Sequence, residues 1–400
     1  MKVLVADKLS ESFVSMLVDQ GLSVDMQPGL KDASLAEQLA LLQPEVLVVR
    51  STKVKREHFE ASSKLELIVR AGAGVDNIDQ TEASARGVFV ANCPGKNAIA
   101  VAELTIGLLL SLDRYIPDNV IDAREGRWNK ARYSNAAGLH GRTMGLVGLG
   151  SIGREVARMA QALGMNVRAW SRSLTPKEAG RLGIEYCASP IDVTKDAHAV
   201  SVHVAGNSET AKMVDKAFLS AMPNGAFLIN TSRSSVVDED ALLAELDAGR
   251  LYAGLDVFDG EPSGKDGSFD EPVARHARVY LTHHIGASTE QAQEAIADEA
   301  ARVVIAYAQT GEVPNCVNLA VKSPATHQLT VRHLDRVGVL ASVLEEMRRA
   351  EWNVQEMENL VFEDAHAACA RIRFIGRAAS DVVSKIETMP HVLAVTLIEL

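Results

Sequence analysis

The chain has 400 residues, 47% of them hydrophobic and 23% charged, which is typical of a soluble globular protein with two or three domains and excludes disordered and fibrous classes. The 41 lysines and arginines against 52 aspartates and glutamates give a formal net charge of −11, so the chain lacks the basic balance that binds nucleic acid. The four cysteines form no CxxC pair and predict no disulfide framework and no metal site. Without a signal peptide or an apolar run long enough to span a membrane, we expect a cytoplasmic protein.

Short apolar runs alternate with helical patterns through the first 284 residues, which predicts two parallel sheets covered by helices. The predicted strands are 2–6, 46–49, 67–69 and 88–91 in a first series, then 144–148, 167–170, 199–204, 226–230, 252–257 and 279–281 in a second. A helix over 98–112 joins the two series. A second helix over 287–309, capped by Ser288 or Thr289, returns the chain to the first domain.

The remaining residues follow a different plan. Strands over 328–334, 354–362, 367–374 and 392–400 and helices over 338–349 and 380–388 give the order β-α-β-β-α-β. The predicted fold is therefore α/β, with a doubly wound Rossmann-type cofactor domain, a flavodoxin-like substrate domain and a small terminal domain. We place the boundaries at 1–97 with 285–318 (substrate domain), 98–284 (Rossmann domain) and 326–400 (terminal domain).

A GxGxxG element follows the predicted strand 144–148 and opens a helix over 154–163. In that setting Gly148 permits a tight turn, Gly150 lets backbone N–H groups approach a pyrophosphate, and Gly153 allows helix and strand to pack closely. The amides of Ser151 and Ile152 would take part in the same contact. This pattern predicts a dinucleotide site.

The residues after the next strand bear on which dinucleotide is bound. An NAD site usually has an acid there, but here Ser171 and Arg172 follow Trp170. Ser171 can hydrogen-bond and Arg172 can pair with a 2′-phosphate, which favours NADP or dual use. The alternative is that Arg172 is a solvated loop residue that stacks on adenine.

Four segments resemble the D-isomer-specific 2-hydroxyacid dehydrogenases in order and spacing: 148–153, 230–238, 254–262 and 281–286. Segments 50–53, 70–77 and 97–105 narrow the resemblance to the 3-phosphoglycerate dehydrogenases of that family, and the terminal domain resembles an ACT regulatory domain. The resemblance covers essentially the whole chain. It implies hydride transfer between NAD or NADP and a phosphorylated 2-hydroxy acid.

Oxidation of a 2-hydroxy acid needs a base for the hydroxyl proton, and histidine suits that role near neutral pH. The resemblance makes His284 the base and Glu261 its carboxylate partner, while His283 stands where the family usually has proline and leaves the choice of imidazole open. Arg233, just past a strand, would bind the substrate carboxylate. As single residues, Arg233 could instead form a structural ion pair and either histidine could be a buried core residue.

The substrate phosphate needs cations near the cleft between the two domains. Arg50, Lys53 and Arg70 follow strands of the first series, where open α/β sheets bind ligands; a surface role for Lys53 stays open. The backbone of Gly72, Ala73 and Gly74 would bind carboxylate or phosphate oxygens, and Asn97 would contact substrate and nicotinamide. Arg127, Lys130 and Arg132 form a further basic group, which is either a partner-facing surface or an ordinary exposed loop.

Further residues match the family's cofactor channel. The resemblance implies that Asp256 holds the nicotinamide carboxamide and that other contacts line the same channel. These are His203, Thr210, Thr231 and Gly286.

In the terminal domain His333, Asp335 and Asn353 fall where an ACT domain would contact a serine effector. Asp335 and Val337 depart from the usual residues, so a purely structural or dimerising domain is an equal alternative.

These observations predict a D-3-phosphoglycerate dehydrogenase activity, as a homodimer or homotetramer, in serine synthesis. Two rivals remain at this point. One is an NADPH-dependent glyoxylate or hydroxypyruvate reductase, favoured by Ser171 and Arg172 and opposed by the basic cluster. The other is a dinucleotide-sensing, corepressor-like binding protein, which a complete set of catalytic residues does not exclude.

Overall fold

The structure, a computed structural model, describes residues 1–262 and 267–400. It contains two compact units, Met1–Asn318 and Leu319–Leu400. In the described ranges no helix combines the length and the apolar character needed to cross a membrane.

The first sheet of unit Met1–Asn318 has five parallel strands in the order β2-β1-β3-β4-β5. The strands are β1 (Lys2–Val5), β2 (Ser23–Met26), β3 (Val46–Val49), β4 (Leu67–Arg70) and β5 (Phe89–Ala91), and the helices between them are α1 (Glu11–Asp19), α2 (Asp32–Leu42), α3 (Arg56–Ala61) and α4 (Gln80–Ala85). The 2-1-3-4-5 order is that of flavodoxin-like folds. Strand β3 is buried throughout, as expected for a central strand covered on both faces.

Helices α5 (Ala98–Arg114), α6 (Ile116–Arg124) and α7 (Lys130–Tyr133) lead to the second sheet. Its strands are β6 (Thr143–Val147), β7 (Asn166–Trp170), β8 (Glu185–Tyr186), β9 (Ala199–Val202), β10 (Phe227–Asn230), β11 (Tyr252–Leu255) and β12 (Val279–Leu281). The helices that cover it are α8 (Ser151–Ala162), α9 (Pro176–Arg181), α10 (Lys216–Ala221), α11 (Glu239–Asp247) and α12 (Pro272–Arg275). The order β12-β11-β10-β9-β6-β7-β8 places β6 at the Rossmann switch point.

Helix α13 (Glu290–Thr310) follows β12 and packs into the core of the first sheet. Ala297, Ala300 and Val304 are fully or almost fully buried beside Phe13 and Leu17. Full burial of a side chain as large as that of Val304, Phe13 or Leu17 stabilises the unit by about 1.5–3 kcal/mol. The Thr289 hydroxyl caps α13 by accepting the Ala292 N–H at 3.2 Å, so Thr289 and not Ser288 is the cap.

The unit Leu319–Leu400 contains β13 (His327–Leu334), α14 (Val339–Arg349), β14 (Asn353–Val361), β15 (Ala367–Ile375), α15 (Ser380–Glu387) and β16 (Val392–Glu399). They form an antiparallel sheet in the order β14-β15-β13-β16. Trp352 stacks on Phe374 with ring centroids 4.3 Å apart in its core. The β-α-β-β-α-β plan, and with it the predicted fold class, is confirmed.

Strands β2 and β8 and the start of α8 differ most clearly from the predicted elements. Strand β2 alternates polar and apolar residues at a sheet edge, and β8 has two residues, so neither offers the continuous apolar run on which the strand predictions rest. Helix α8 begins at Ser151 rather than Arg154 because Gly153 lies inside its first turn.

Candidate active site

His284 lies in the loop after β12, and Asp256, which follows β11, holds this loop in place. The Asp256 carboxylate accepts hydrogen bonds from the Ile285 N–H (2.9 Å), the Gly286 N–H (2.9 Å) and the Thr282 hydroxyl (2.6 Å). Since β11 and β12 pair in parallel, both loops lie at the carboxyl edge of the sheet, where open α/β sheets bind ligands. The His284 backbone is left-handed (φ 51°), a strained conformation that the Asp256 contacts stabilise.

The imidazole of His284 meets the carboxylate of Glu261. Its Nδ1 lies 2.7 Å from Glu261 Oε2, and Glu261 Oε1 accepts the Phe258 N–H at 2.9 Å. The hydrogen bond to Glu261 raises the pKa of His284 although burial opposes it. Burial acts to raise the pKa of Glu261, but the hydrogen bonds from His284 and Phe258 outweigh it and lower that pKa. The imidazole at this contact belongs to His284, not to the neighbouring His283.

Arg233 follows β10 on a turn that Asn230 organises. Asn230 Nδ2 donates to the Arg233 carbonyl at 2.9 Å, and Asn230 Oδ1 accepts the Ser232 N–H at 3.0 Å. The Arg233 guanidinium donates from Nε to Asp76 Oδ2 at 2.9 Å and from Nη1 to the Ser232 carbonyl at 2.8 Å. The ion pair predicted as one alternative is therefore present, and it connects the loop after β10 to the loop after β4.

Two arginines lie against the glycine loop after β4. A Cβ at Gly72 would collide with the guanidinium of Arg70, and a Cβ at Gly74 would collide with that of Arg233. Burial, followed by the charges of Arg233 and Arg50, lowers the pKa of Arg70, and the buried Arg70 Nε has no hydrogen-bond partner among residues 1–262 and 267–400. The positive charges of Arg233 and Arg50 thus act on the Arg70 guanidinium beside this loop, an arrangement that an anion would relieve.

Arg50 stands on a loop that Asp7, at the end of β1, fixes. The Asp7 carboxylate accepts the N–H groups of Arg50 (2.7 Å) and Thr52 (3.1 Å), and Ser51 donates both its N–H and its hydroxyl. Burial would raise the pKa of Asp7, yet these hydrogen bonds lower it. The Arg50 side chain donates to Gln293 Oε1 of α13 at 3.0 Å.

Arg50 and His284 line one cavity of about 710 Å³, together with Asp7, Lys8 and Gln293. Its walls come from the loops after β1, β3 and β12 and from the start of α13. This volume accommodates a small polar substrate. The cavity therefore brings one predicted phosphate contact and the predicted base to a common space.

The other predicted substrate residues occupy different positions. Asn97 precedes α5, and its buried Oδ1 has no hydrogen-bond partner in the part of the chain that the structure describes. The Ala73 carbonyl accepts from Asn92 at 2.6 Å. Lys53 is exposed, so the structure leaves its predicted role open.

The glycine-rich turn after β6 has the shape that a pyrophosphate requires. Gly148 has a φ of 100°, and a Cβ there would lie 2.6 Å from the His203 carbonyl oxygen, while a Cβ at Gly153 would collide with the Gly148 carbonyl. Gly150 borders open space. With α8 beginning at Ser151 and continuing through Ile152, the first N–H groups of a 12-residue helix border this turn, which fits a dinucleotide.

Of the predicted channel residues, His203 lies directly against this turn. His203 Nε2 contacts the Ser201 hydroxyl at 2.9 Å, and burial lowers the His203 pKa to about 3, so its imidazole is neutral at pH 7. Its buried Nδ1 has no hydrogen-bond partner within the described ranges. Thr210 bonds within its own loop, to the Ala205 carbonyl at 2.6 Å, and Thr231 meets the Thr105 hydroxyl at 2.9 Å. Thr210 therefore orders the loop after β9, whereas Thr231 links the end of β10 to α5.

Ser171 and Arg172 follow β7 as predicted from the sequence. Arg172 donates to Oε2 of Glu209, in the loop after β9, at 2.8 Å. Arg172 thus forms an exposed ion pair, and no role for its partner Glu209 follows from the sequence.

The predicted effector residues do not meet within one chain. His333 is buried, with Nδ1 at 2.8 Å from the Leu334 carbonyl and Nε2 at 3.3 Å from Asn359 Oδ1. Asp335 and Asn353 are exposed. His333 pairs with Ala368 of β15 whereas Asn353 pairs with Ile375, which separates the two by roughly 24 Å along β15 at about 3.4 Å per residue.

Residues 106–286 match the family model of the D-isomer specific 2-hydroxyacid dehydrogenase NAD binding domain. The chain is also 37% identical over 369 residues to D-3-phosphoglycerate dehydrogenase of Mycobacterium tuberculosis (strain H37Rv), covering 90% of this chain and 67% of that protein. The chain belongs to the D-isomer specific 2-hydroxyacid dehydrogenase family. Its second sheet is the NAD-binding domain of that family.

Some relatives are considerably longer than this chain. D-3-phosphoglycerate dehydrogenase of Archaeoglobus fulgidus is 35% identical over 348 residues, which cover 86% of this chain and 64% of that protein. The chain thus spans less than two thirds of the length of this relative.

Two solved structures carry different cofactors. A 3-phosphoglycerate dehydrogenase from Entamoeba histolytica with bound NAD+ is 25% identical with a TM-score of 0.67, covering 80% of this chain and 99% of that one. An NADPH-dependent glyoxylate/hydroxypyruvate reductase from Sinorhizobium meliloti in complex with NADP and malonate is 29% identical with a TM-score of 0.66, covering 79% of this chain and 96% of that one. The family therefore includes both cofactors on this fold.

Sequence reasoning missed three acids of the site: Asp7, Asp76 and Glu209. Asp7 ends the first apolar run and Asp76 lies in the segment 70–77 that the resemblance quotes. A search for acids at strand carboxyl ends would have found Asp7. Asp76 and Glu209 can be recognised as residues of the site only from their ion pairs with Arg233 and Arg172 in the structure.

Proposed function

We propose that this chain oxidises 3-phospho-D-glycerate to 3-phosphohydroxypyruvate with NAD, as a D-3-phosphoglycerate dehydrogenase. The observation that carries the proposal is the placement of Arg70 and Arg233 against the loop at Gly72 and Gly74, with the charge of Arg50 close enough to lower the pKa of Arg70, in the same unit as the hydrogen-bonded His284 and Glu261. A substrate with an anion at each end and a hydroxyl between them suits this arrangement of charge. The names of the M. tuberculosis and A. fulgidus relatives support the same substrate.

In the proposed complex the substrate carboxylate binds Arg233 and the backbone of the glycine loop. Arg233 keeps its Nε bond to Asp76 while Nη2, which lies beside Gly74, donates to the substrate carboxylate. The phosphate binds Arg50 and Arg70, with Lys53 as a further cation at the rim. The two anion sites fix the C2 hydroxyl toward His284.

The proton transfer follows from the hydrogen bond between His284 and Glu261. Since Nδ1–H donates to Glu261, Nε2 is the nitrogen that accepts the C2 hydroxyl proton as the C–O bond becomes a carbonyl. The resulting imidazolium is stabilised by the Glu261 carboxylate. When NAD is bound, its nicotinamide supplies the acceptor for the hydride that leaves C2. In the reverse direction His284 returns the proton to the substrate oxygen.

Asp256 supports this chemistry in the proposal by holding the His284 loop, and the neutral His203 and the threonines Thr210 and Thr231 order the cofactor side. Asn97, with its unpartnered buried oxygen, is positioned to contact substrate or nicotinamide. Gly286 remains close to Asp256 through its N–H.

A homodimer, with a serine effector acting on the terminal unit, completes the proposal. Trp128 is 88% exposed on the segment between α6 and α7, and Ile121 of α6 and Ile99 of α5 are exposed as well; such apolar residues support an interface between two copies. The four cysteines are free thiols, which supports a reducing, cytoplasmic location.

A second candidate is an NADPH-dependent glyoxylate or hydroxypyruvate reductase. Arg172 after β7 favours it, as does the likeness to the S. meliloti reductase. That substrate lacks a phosphate, so the arginine group distinguishes the two candidates.

The deciding experiment is steady-state reduction of NAD and NADP by the purified protein with 3-phosphoglycerate, glycerate and 2-hydroxyglutarate. We expect activity with 3-phosphoglycerate and a loss of about 100-fold in its kcat/KM for R50A and R70A, because a buried charge on the ligand loses its partner. The control R86A removes an exposed arginine that pairs with Glu82 in the same sheet region and should change little. Equal rates with phosphorylated and unphosphorylated acids would support the reductase instead.

A further inference from the structure

Arg172 and Glu209 form an ion pair between two loops of the NAD-binding sheet. Arg172 Nη1 lies 2.8 Å from Glu209 Oε2, and the two side chains are 73% and 71% exposed. Arg172 follows β7 and Glu209 follows β9, while β6 lies between these strands in the sheet. Because the turn at Gly148 and Gly150 leaves β6 at the same edge, the pair joins the loops on the two sides of that turn.

Both ends of the pair are fixed by their own loops. Asn207 Oδ1 accepts the N–H groups of Glu209 at 2.9 Å and of Thr210 at 3.1 Å, which shapes the loop after β9. On the other side the Leu174 N–H donates to the Ser171 carbonyl at 3.1 Å, and the Leu174 side chain is buried. The loops therefore place the two charges opposite each other, although an exposed pair of this kind adds little stability.

The position of Arg172 indicates which group of a dinucleotide this contact affects. A guanidinium directly after the second strand of a Rossmann sheet suits a ribose 2′-phosphate, which it can bind with two hydrogen bonds. In this structure the carboxylate of Glu209 already accepts from that guanidinium. A phosphate monoester carries about −1.5 to −2 charges at neutral pH, so phosphate and carboxylate repel each other if both approach Arg172.

We propose that Glu209 determines the choice between NAD and NADP by keeping Arg172 in an internal ion pair that a 2′-phosphate has to displace. With NAD, which has a free 2′-hydroxyl, the pair persists beside the ribose. With NADP, Glu209 has to leave Arg172 and remain near a dianion. The inference rests on the proposed dinucleotide binding and adds the residue that selects the cofactor.

The test is direct binding of NADH and NADPH to the full chain, followed by the fluorescence of the reduced nicotinamide and requiring no turnover. E209Q removes the charge and keeps the shape of the side chain. We expect its Kd for NADPH to fall about tenfold, the effect of removing one like charge at roughly 6 Å in a partly screened site. The Kd for NADH should change by less than about threefold, as for an ordinary surface substitution.

The matched control is D270N, which removes the acid from the Arg275–Asp270 pair. That pair has an N···O distance of 2.7 Å and side-chain exposures of 70% and 72%, close to those of the pair under test. A fall in the NADPH Kd of D270N equal to that of E209Q would assign the effect to net charge and overturn the proposal.

A double-mutant cycle with R172A completes the test. We expect R172A to weaken NADPH binding and E209Q to give a clearly smaller gain in the R172A background, because only the direct repulsion between Glu209 and the phosphate is then left to relieve. An equal gain from E209Q with and without Arg172 would overturn the proposal, as would an unchanged ratio of the two Kd values in E209Q. Failure of the wild-type chain to bind NADH at all would instead refute the proposed function, so the two failures are distinguishable.

Discussion

The two units of the chain collect polar residues in different ways. In the unit Met1–Asn318 both sheets are parallel, so the strands of each sheet end at one edge, and loops from the two edges, such as those of Asp7 and His284, line a common cavity. In the unit Leu319–Leu400 the sheet is antiparallel, and His333 and Asn353 lie at opposite ends. Sequence position after a strand is therefore a guide to a site in the first case only.

The largest effect should come from removal of the base at the parallel-sheet edge. We expect H284A to lower kcat by about 10³-fold, within the usual range for loss of a general base, with an unchanged melting temperature because the side chain is half exposed. H283A is the control and should retain most activity. A greater loss in H283A would assign the chemistry to the other imidazole.

The next effect tests the hydrogen bond between His284 and Glu261. Glu261 raises the pKa of His284, so oxidation, which needs the neutral imidazole, should rise with pH through a value above the ordinary one. In E261Q that pKa falls, and the rising limb of the kcat profile should move to lower pH while kcat drops about tenfold. A profile that keeps its position would show that Glu261 does not act on the base.

A smaller effect concerns Asp76, which connects the two parallel sheets through Arg233. We expect D76N to raise KM for the substrate about tenfold, since one charged hydrogen bond that orients the Arg233 fork is weakened, and to change kcat much less. The comparison variant is E82Q, which weakens an exposed ion pair with Arg86 in the same region. A fall in kcat with unchanged KM would exclude a binding role for Asp76.

The smallest effect is expected in the antiparallel unit. Without serine, D335A and N353A should keep kcat/KM within about twofold, as exposed substitutions usually do. The same assays with serine test the predicted effector site, because each variant should weaken inhibition if these side chains contact the effector. A tenfold loss in kcat/KM without serine would contradict the expectation that residues of the antiparallel unit do not take part in catalysis.

The sequence predicted the fold class and the turn at Gly148, Gly150 and Gly153 because these depend on local patterns: apolar periodicity, and positions where a side chain would collide with backbone. It also indicated Arg233, Glu261 and His284, whose motifs are spaced as in the family. In contrast, strand β2 lacks an apolar run because it lies at a sheet edge and is partly exposed, and single-sequence patterns carry little signal for such strands.

The acids that orient the arginines could not be predicted in the same way. Asp76 and Arg233 are 157 positions apart, and Glu209 and Arg172 are 37 apart. Their pairing depends on the packing of two loops at a sheet edge, which no short window of sequence encodes. The same limit applies to Asp256, whose hydrogen bonds support the His284 loop rather than leaving its carboxylate free.

The hydrogen bond from Arg50 to Gln293 spans 243 positions and has a consequence for how the protein acquires its cavity. Nearly the whole unit has to be synthesised before α13 can supply Gln293 and its part of the cavity wall. Closing so long a chain segment is slow compared with forming local helices. Native secondary structure should therefore return early in refolding, and the substrate cavity should be among the last features to form.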